Sequence, residues 1–301
     1  MKIIDPHIHL FNIEQGDYNW LKPDNPPFWL NKSLINKTFN ENELTLNAPL
    51  QLISFVHIEA GFDNNKPWRE LAMLDQSCKK SFRAIATVDL TISSQCFNNT
   101  IEKLLLLPSF IGVRHILGEQ GLSLLTNAQV LKNFKSLNNL SSFAKEQNKK
   151  LIFETQLPLT ENEPINTLCN VISDTQNISF IINHAGFPPA DRQSIEWQYW
   201  QSNLVKLSKF DHVVIKCSGW EMTDRNYQHT WLNESMSFIL KTFDCDKVML
   251  ASNFPLCLFS KSSYQDYWQS LIDSEFFQDL NNQEKSALCY DNALKWYSIL
   301  A

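Results

Sequence analysis

Lys2-Ile3-Ile4-Asp5-Pro6-His7-Ile8-His9 is an apolar run leading into two histidines two residues apart. On a β-strand, residues i and i+2 leave the same face. Both imidazoles therefore project together from the end of the strand. Two imidazoles converging at a strand end form half of a site for a metal ion or a polarised water. Histidine is scarce, with 7 in 301 residues, so the placement of two here marks a site.

Seven further apolar, β-branched runs follow: 51–59, 82–89, 110–117, 150–156, 178–184, 212–218 and 247–253. Each has the length of a buried parallel strand. The segments between them are long enough for crossover helices. In 127–148, Leu131, Phe134, Leu137, Leu140 and Ala144 recur at helical spacing. In 231–243, Trp231, Ser235, Phe238, Ile239 and Thr242 do the same. Eight strands alternating with helices predict an α/β fold, a (β/α)8 TIM barrel. No linker-like tract divides the chain, so 1–301 reads as a single barrel domain.

Polar residues cluster where such a barrel places its chemistry, at the C-terminal ends of strands. The predicted ends carry His7 and His9, His57 and Glu59, Asp89, Arg114 and His115, Glu154, His184, Lys216 and Asn253. Five of the seven histidines fall there, leaving His212 and His229 elsewhere. The long stretch 11–50 holds Trp20, Pro26, Pro27 and Trp29 and reads as an ordered flap over the barrel mouth. The loop after His184 holds Pro188, Pro189 and Arg192.

Composition narrows the class. The net charge is −6 and no basic patch stands out, so no nucleic-acid partner is expected. The seven cysteines form no Cys-x-x-Cys pair, as in reduced thiols of a cytoplasmic protein. No apolar run is long enough for a membrane span, so no membrane partner is expected. The expected partner is a small-molecule substrate, and the sequence leaves room for a homo-oligomer.

Six segments in order resemble the amidohydrolase-related group of the amidohydrolase superfamily, which includes fuconolactonase-type and pyrone-dicarboxylate lactonases. They are Asp5-Pro6-His7-Ile8-His9, Val56-His57-Ile58-Glu59, Gly112-Val113-Arg114-His115, Asn183-His184-Ala185-Gly186, Lys216-Cys217-Ser218-Gly219 and Ala251-Ser252-Asn253-Phe254-Pro255. The resemblance implies a metallo-dependent-hydrolase-like barrel in which His7, His9 and His184 surround the reacting carbonyl or a metal. It also implies an aspartate on the last strand, where this chain has Asn253. An amide accepts no proton at neutral pH and is no general base. His184, then Glu154, then Glu59 are the replacements, Glu59 by its two-residue spacing from His57.

His7, His9 and His184 supply three metal ligands, but the missing aspartate removes a charged fourth. The cofactor expectation is therefore none required, or one divalent metal, zinc first. Arg114 is expected to hold a substrate carboxylate or hydroxyls in a forked contact. His57, Glu59, His115, Arg192 and Trp20 are the other expected substrate contacts, with Trp220 as a second aromatic wall.

The predicted activity is hydrolysis of a small cyclic ester, a sugar lactone or a carboxylated lactone, by activated water, with Asn253 hydrogen-bonding water or substrate. Two alternatives stay open. One is a metal-dependent decarboxylase of a small unsaturated acid. The other is a non-catalytic small-acid binder, because of Asn253.

Overall fold

The computed structural model describes residues 1–144 and 150–299. Its centre is one eight-stranded sheet in sequence order: β1 (Lys2–Ile8), β2 (Gln51–Ile58), β3 (Phe82–Thr87), β4 (Phe110–Arg114), β5 (Ile152–Thr155), β6 (Ser179–Ile182), β7 (Val213–Cys217) and β8 (Val248–Leu250). Every neighbouring pair is parallel. A parallel bridge between Ile8 and Phe254 joins the last strand's exit to β1, with the His9 amide donating to the Phe254 carbonyl (2.7 Å). This is the predicted (β/α)8 barrel.

Strand alternation sorts the core into two clusters. Ile4, Val56, Ile58, Ile152, Ile181, Val214 and Met249 fill the barrel interior. Phe55, Val113, Phe153, Phe180 and Ile215 face the surrounding helices. The interior cluster also contains Ala293, Tyr297 and Ile299, so the end of the described chain plugs the barrel floor. The plug is anchored from outside by Arg83, which donates to the Ser298 carbonyl.

The helices between strands bury one stripe each. In Asn162–Asp174 the buried positions are Pro164, Ile165, Leu168, Val171 and Ile172, a helical spacing against the sheet. Serine side chains cap two others: Ser93 accepts from the Cys96 amide, and Ser194 from the Trp197 amide. The helix expected over 127–148 runs Ala128–Ala144, and 145–148 lie outside the described residues. The one expected over 231–243 runs His229–Thr242.

All eight strands occur where expected, but each stops short at the C-terminal end. β8 ends at Leu250, three residues before Asn253. β6 ends at Ile182, before His184. In both cases the site residue leaves the strand for a left-handed backbone, φ 58° at Asn253 and 54° at His184. The stretch 11–50 is held together by the Phe11–Phe39 bridge and by edge-to-face rings, Phe11 on Phe39 and Trp20 on Trp29, and the Tyr18 amide ties it to the turn after β2 by donating to the Gly61 carbonyl (2.9 Å). Among the described residues, no helix is long and apolar enough to cross a membrane.

Candidate active site

A cavity of about 810 Å³ opens at the C-terminal ends of the strands. His9, Glu59, Arg114, His115, His184 and Asn253 all line it. The barrel thus assembles side chains from five strand exits at the face where this fold carries its chemistry.

His7 and His9 point into the barrel because the pairing of β1 with β2 shifts register between Asp5 and Ile8. Asp5, one residue before the irregularity, is fully buried. It accepts from the Ser252 amide (3.1 Å) and from the Tyr264 hydroxyl (3.0 Å). It thereby ties β1 to the segment that carries Asn253. Burial raises its carboxyl to about 6.

The hydrogen bonds set the histidine tautomers. His9 Nδ1 faces two carbonyls, Ile58 O (2.9 Å) and Glu59 O (3.2 Å), so this nitrogen carries the proton. Its lone pair is on Nε2, which lies 3.2 Å from His7 Nε2. His7 therefore donates from Nε2, and its buried Nδ1 has no partner. Burial first, then the Lys216 charge, holds His7 and His184 well below the ordinary imidazole range. Burial and Arg114 do the same for His9. All three rings are neutral at pH 7.

His184 stacks obliquely on His7, with ring centroids 4.6 Å apart, and its Nδ1 lies 3.1 Å from Ser218 Oγ. Gly219 makes this position available. At its φ of 68°, a Cβ would lie 2.4 Å from His184 Nδ1. No other residue type fits there without moving the ring.

Arg114 lines the cavity, but the protein itself engages its fork. Nε donates to Glu59 Oε1 (2.8 Å), Nη2 to the Glu59 carbonyl (2.9 Å), and Nη1 to Gln156 Oε1 (2.9 Å). Glu59 is thus a buried partner of Arg114. Its place in the cavity does not come from parity with His57. β2 ends at Ile58, and the turn beyond it brings Glu59 inward.

Four expectations are corrected by placement. His57 lies between inward-facing Val56 and Ile58, so it faces outward. It accepts from the Leu10 amide at Nδ1 and pairs through Nε2 with buried Glu70 (3.2 Å). Arg192 pairs with exposed Glu234 outside the cavity. Trp220 packs edge-on against Trp231 and does not line the cavity. Glu154 points into the barrel but lies beneath the cavity, bonded to Lys216 Nζ (2.7 Å) and Tyr297 OH (2.5 Å). Trp20 and His115 do line it, Trp20 with its indole N–H donated to the Ala60 carbonyl (2.6 Å).

Glu221 is the residue that strand-end reasoning missed. It sits two residues past Gly219, in the short helix Trp220–Thr223 after β7. Its Oε1 accepts from Asn253 Nδ2 (2.6 Å), while its Oε2 and Asn253 Oδ1 are buried without partners. Burial pushes its carboxyl up to about 7. The only signal for it in the sequence was its position in a loop following a barrel strand.

A metal ion is what the sequence resemblance implies. The 3.2 Å between the two Nε2 atoms is close to the separation, about 3.4 Å, of two tetrahedral zinc ligands. A third ligand does not follow. Among the described residues, no three His, Cys, Asp or Glu side chains group to hold a metal ion. At the last strand, an uncharged amide stands where the resemblance implies a carboxylate. The donor set is a half-site.

Residues 167–299 match the family described as amidohydrolase. This span carries β6 to β8, with His184, Glu221 and Asn253. The match supports a hydrolase or related activity for the barrel, while His7 and His9 lie outside the matched span. An uncharacterised protein of Sinorhizobium fredii is 26% identical over 304 residues, covering 99% of this chain and 98% of that one. Two crystal structures of an amidohydrolase from Burkholderia multivorans superpose over 100% of both chains with a TM-score of 0.78. They are 18% identical (HEPES-bound form) and 17% identical (zinc-bound form) to this chain. An amidohydrolase from Bifidobacterium longum subsp. infantis superposes over 100% of both chains with a TM-score of 0.68 at 16% identity. At these identities the structural likeness concerns the fold.

Proposed function

We propose that this amidohydrolase-family barrel opens a small cyclic ester by attack of water on the ring carbonyl. The observation that carries the reading is a neutral His184, set against His7 and Ser218, in one cavity with the Arg114 guanidinium. A neutral imidazole is a base, and an ester needs less activation than an amide.

In this reading, His184 takes a proton as water oxygen bonds to the carbonyl carbon. Arg114 has five N–H groups, and its remaining Nη1 proton donates to the developing oxyanion. The ring C–O bond then breaks, and the departing alkoxide takes the proton back from His184. The product is the open hydroxy acid. Asn253 positions water or substrate through Oδ1, since its Nδ2 is engaged by Glu221.

No step passes through a metal, because the donors present make only a half-site. A zinc ion held by His7 and His9 would supply carbonyl polarisation. Proton release by the purified protein on a lactone panel, with and without chelator, tests the proposal. Chelator-resistant ring opening is expected. Folded protein that opens no lactone overturns it.

A further inference from the structure

The charge and the walls of the cavity narrow the substrate class. Among the described residues, no lysine lines the cavity, and Arg114 is its one arginine. That arginine is already neutralised by Glu59, which lies 2.6 Å from Nη2. Three of its five N–H groups are donated within the protein, two of them to Glu59. What remains suits a single carbonyl or hydroxyl oxygen and cannot grip a carboxylate in a fork. The other charged lining group, Asp89, is negative. A substrate carboxylate would enter this site without an unpaired cation to meet it, at the cost of desolvation.

Part of the wall is apolar, beside polar lining groups such as Asn64, Asn65, Thr100 and Gln156. Trp20 and Trp29 from the 11–50 segment meet edge-to-face at 6.2 Å and line one side, and Phe187, Met222 and Leu256 contribute elsewhere. Trp20 has its N–H engaged, so it offers only carbon to a ligand. Behind Trp29, outside the lining, the Arg225 guanidinium lies 5.4 Å from the ring centroid and stiffens the wall. A volume of about 810 Å³ belongs to a drug-sized ligand rather than to a bare five- or six-membered ring.

We infer that the substrate is an uncharged lactone bearing an apolar or aromatic substituent that seats against Trp20 and Trp29. This rests on the lactone reading for the ring and goes beyond it for the charge and the substituent.

Binding of non-hydrolysable lactams separates the two claims. Calorimetry on the wild-type protein would compare an unsubstituted lactam, a phenyl- or alkyl-substituted lactam, and the same substituted lactam ending in a carboxylate. The uncharged substituted lactam is expected to bind at least about tenfold tighter than the other two. Trp29→Ala, checked for an unchanged melting temperature, should abolish that advantage, as should Trp29→Ser if the alanine variant is unstable. Glu59→Gln should favour the carboxylate form by freeing Arg114. Tighter binding of the carboxylate form by wild type overturns the inference, as does binding of none of the three. The expected binding order without hydrolysis of the matching lactones would overturn the proposed reaction and leave the substrate class standing.

Discussion

Asn253 donates its side-chain amide to Glu221 across 2.6 Å, and both residues are fully buried at the edge of the cavity. The carboxylate expected on the last strand is therefore displaced onto the preceding loop and faces the strand position from behind. The contact orients Asn253 so that its carbonyl oxygen is the free end. Restoring an aspartate would set two carboxyl groups against each other. Asn253→Asp is expected to lower stability above neutral pH and leave lactone hydrolysis below wild type. Denaturant melts at pH 5 and pH 8 check this.

Glu221 carries its own pH signature. Its folded pKa of about 7 lies above the ordinary value of 4.5, so the folded protein holds a proton that the unfolded chain has released. Stability attributable to this group therefore falls as pH rises from about 4.5 to about 7, by roughly 3 kcal/mol at most. Glu221→Gln should flatten that part of the stability–pH curve. An unchanged slope in urea titrations would show that Glu221 is not the group responsible.

Gly219 is the tightest constraint on His184, the proposed base. A methyl group there meets His184 Nδ1 at 2.4 Å on a left-handed backbone. Gly219→Ala should displace the ring and lower kcat/KM by about 100-fold or more, with a stability loss of about 1–3 kcal/mol. Crystallography of the variant would read the ring position directly.

The Glu154–Lys216–Tyr297 cluster underlies the site without lining it. Lys216→Met strands a buried carboxylate and should cost about 3–5 kcal/mol. Glu154→Gln should retain hydrolysis when assayed below its melting temperature. Loss of activity in a stable Glu154→Gln protein would return that residue to the list of bases.

The barrel was legible because each strand is a short β-branched run and each crossover carries a helical stripe. The histidines of β1 were legible because their spacing matches the strand period. His57 was misread because its neighbours Val56 and Ile58 take the inward face, and a lone histidine does not reveal which face it shares. Arg192 was misread because its loop runs to exposed Glu234. Glu221 was invisible because loop geometry, not periodicity, brings it to Asn253. The forked contact expected of Arg114 with substrate was misread because Glu59 and Gln156 occupy those donors first.

His184 as the base makes a kinetic prediction. Burial holds its pKa well below 6.5, so the ring stays neutral and competent through neutral pH. The acid limb of kcat/KM should then fall only well below pH 6.5, because the base fails when it gains a proton. A limb centred near 7 would point to a different group.

The most direct test compares wild type with His184→Gln by proton release on uncharged lactones, each assayed with and without chelator. The account predicts chelator-resistant hydrolysis by wild type and a loss of at least about 100-fold in the folded variant. Full activity in His184→Gln, or wild-type activity that vanishes with chelator and returns with zinc, would contradict it.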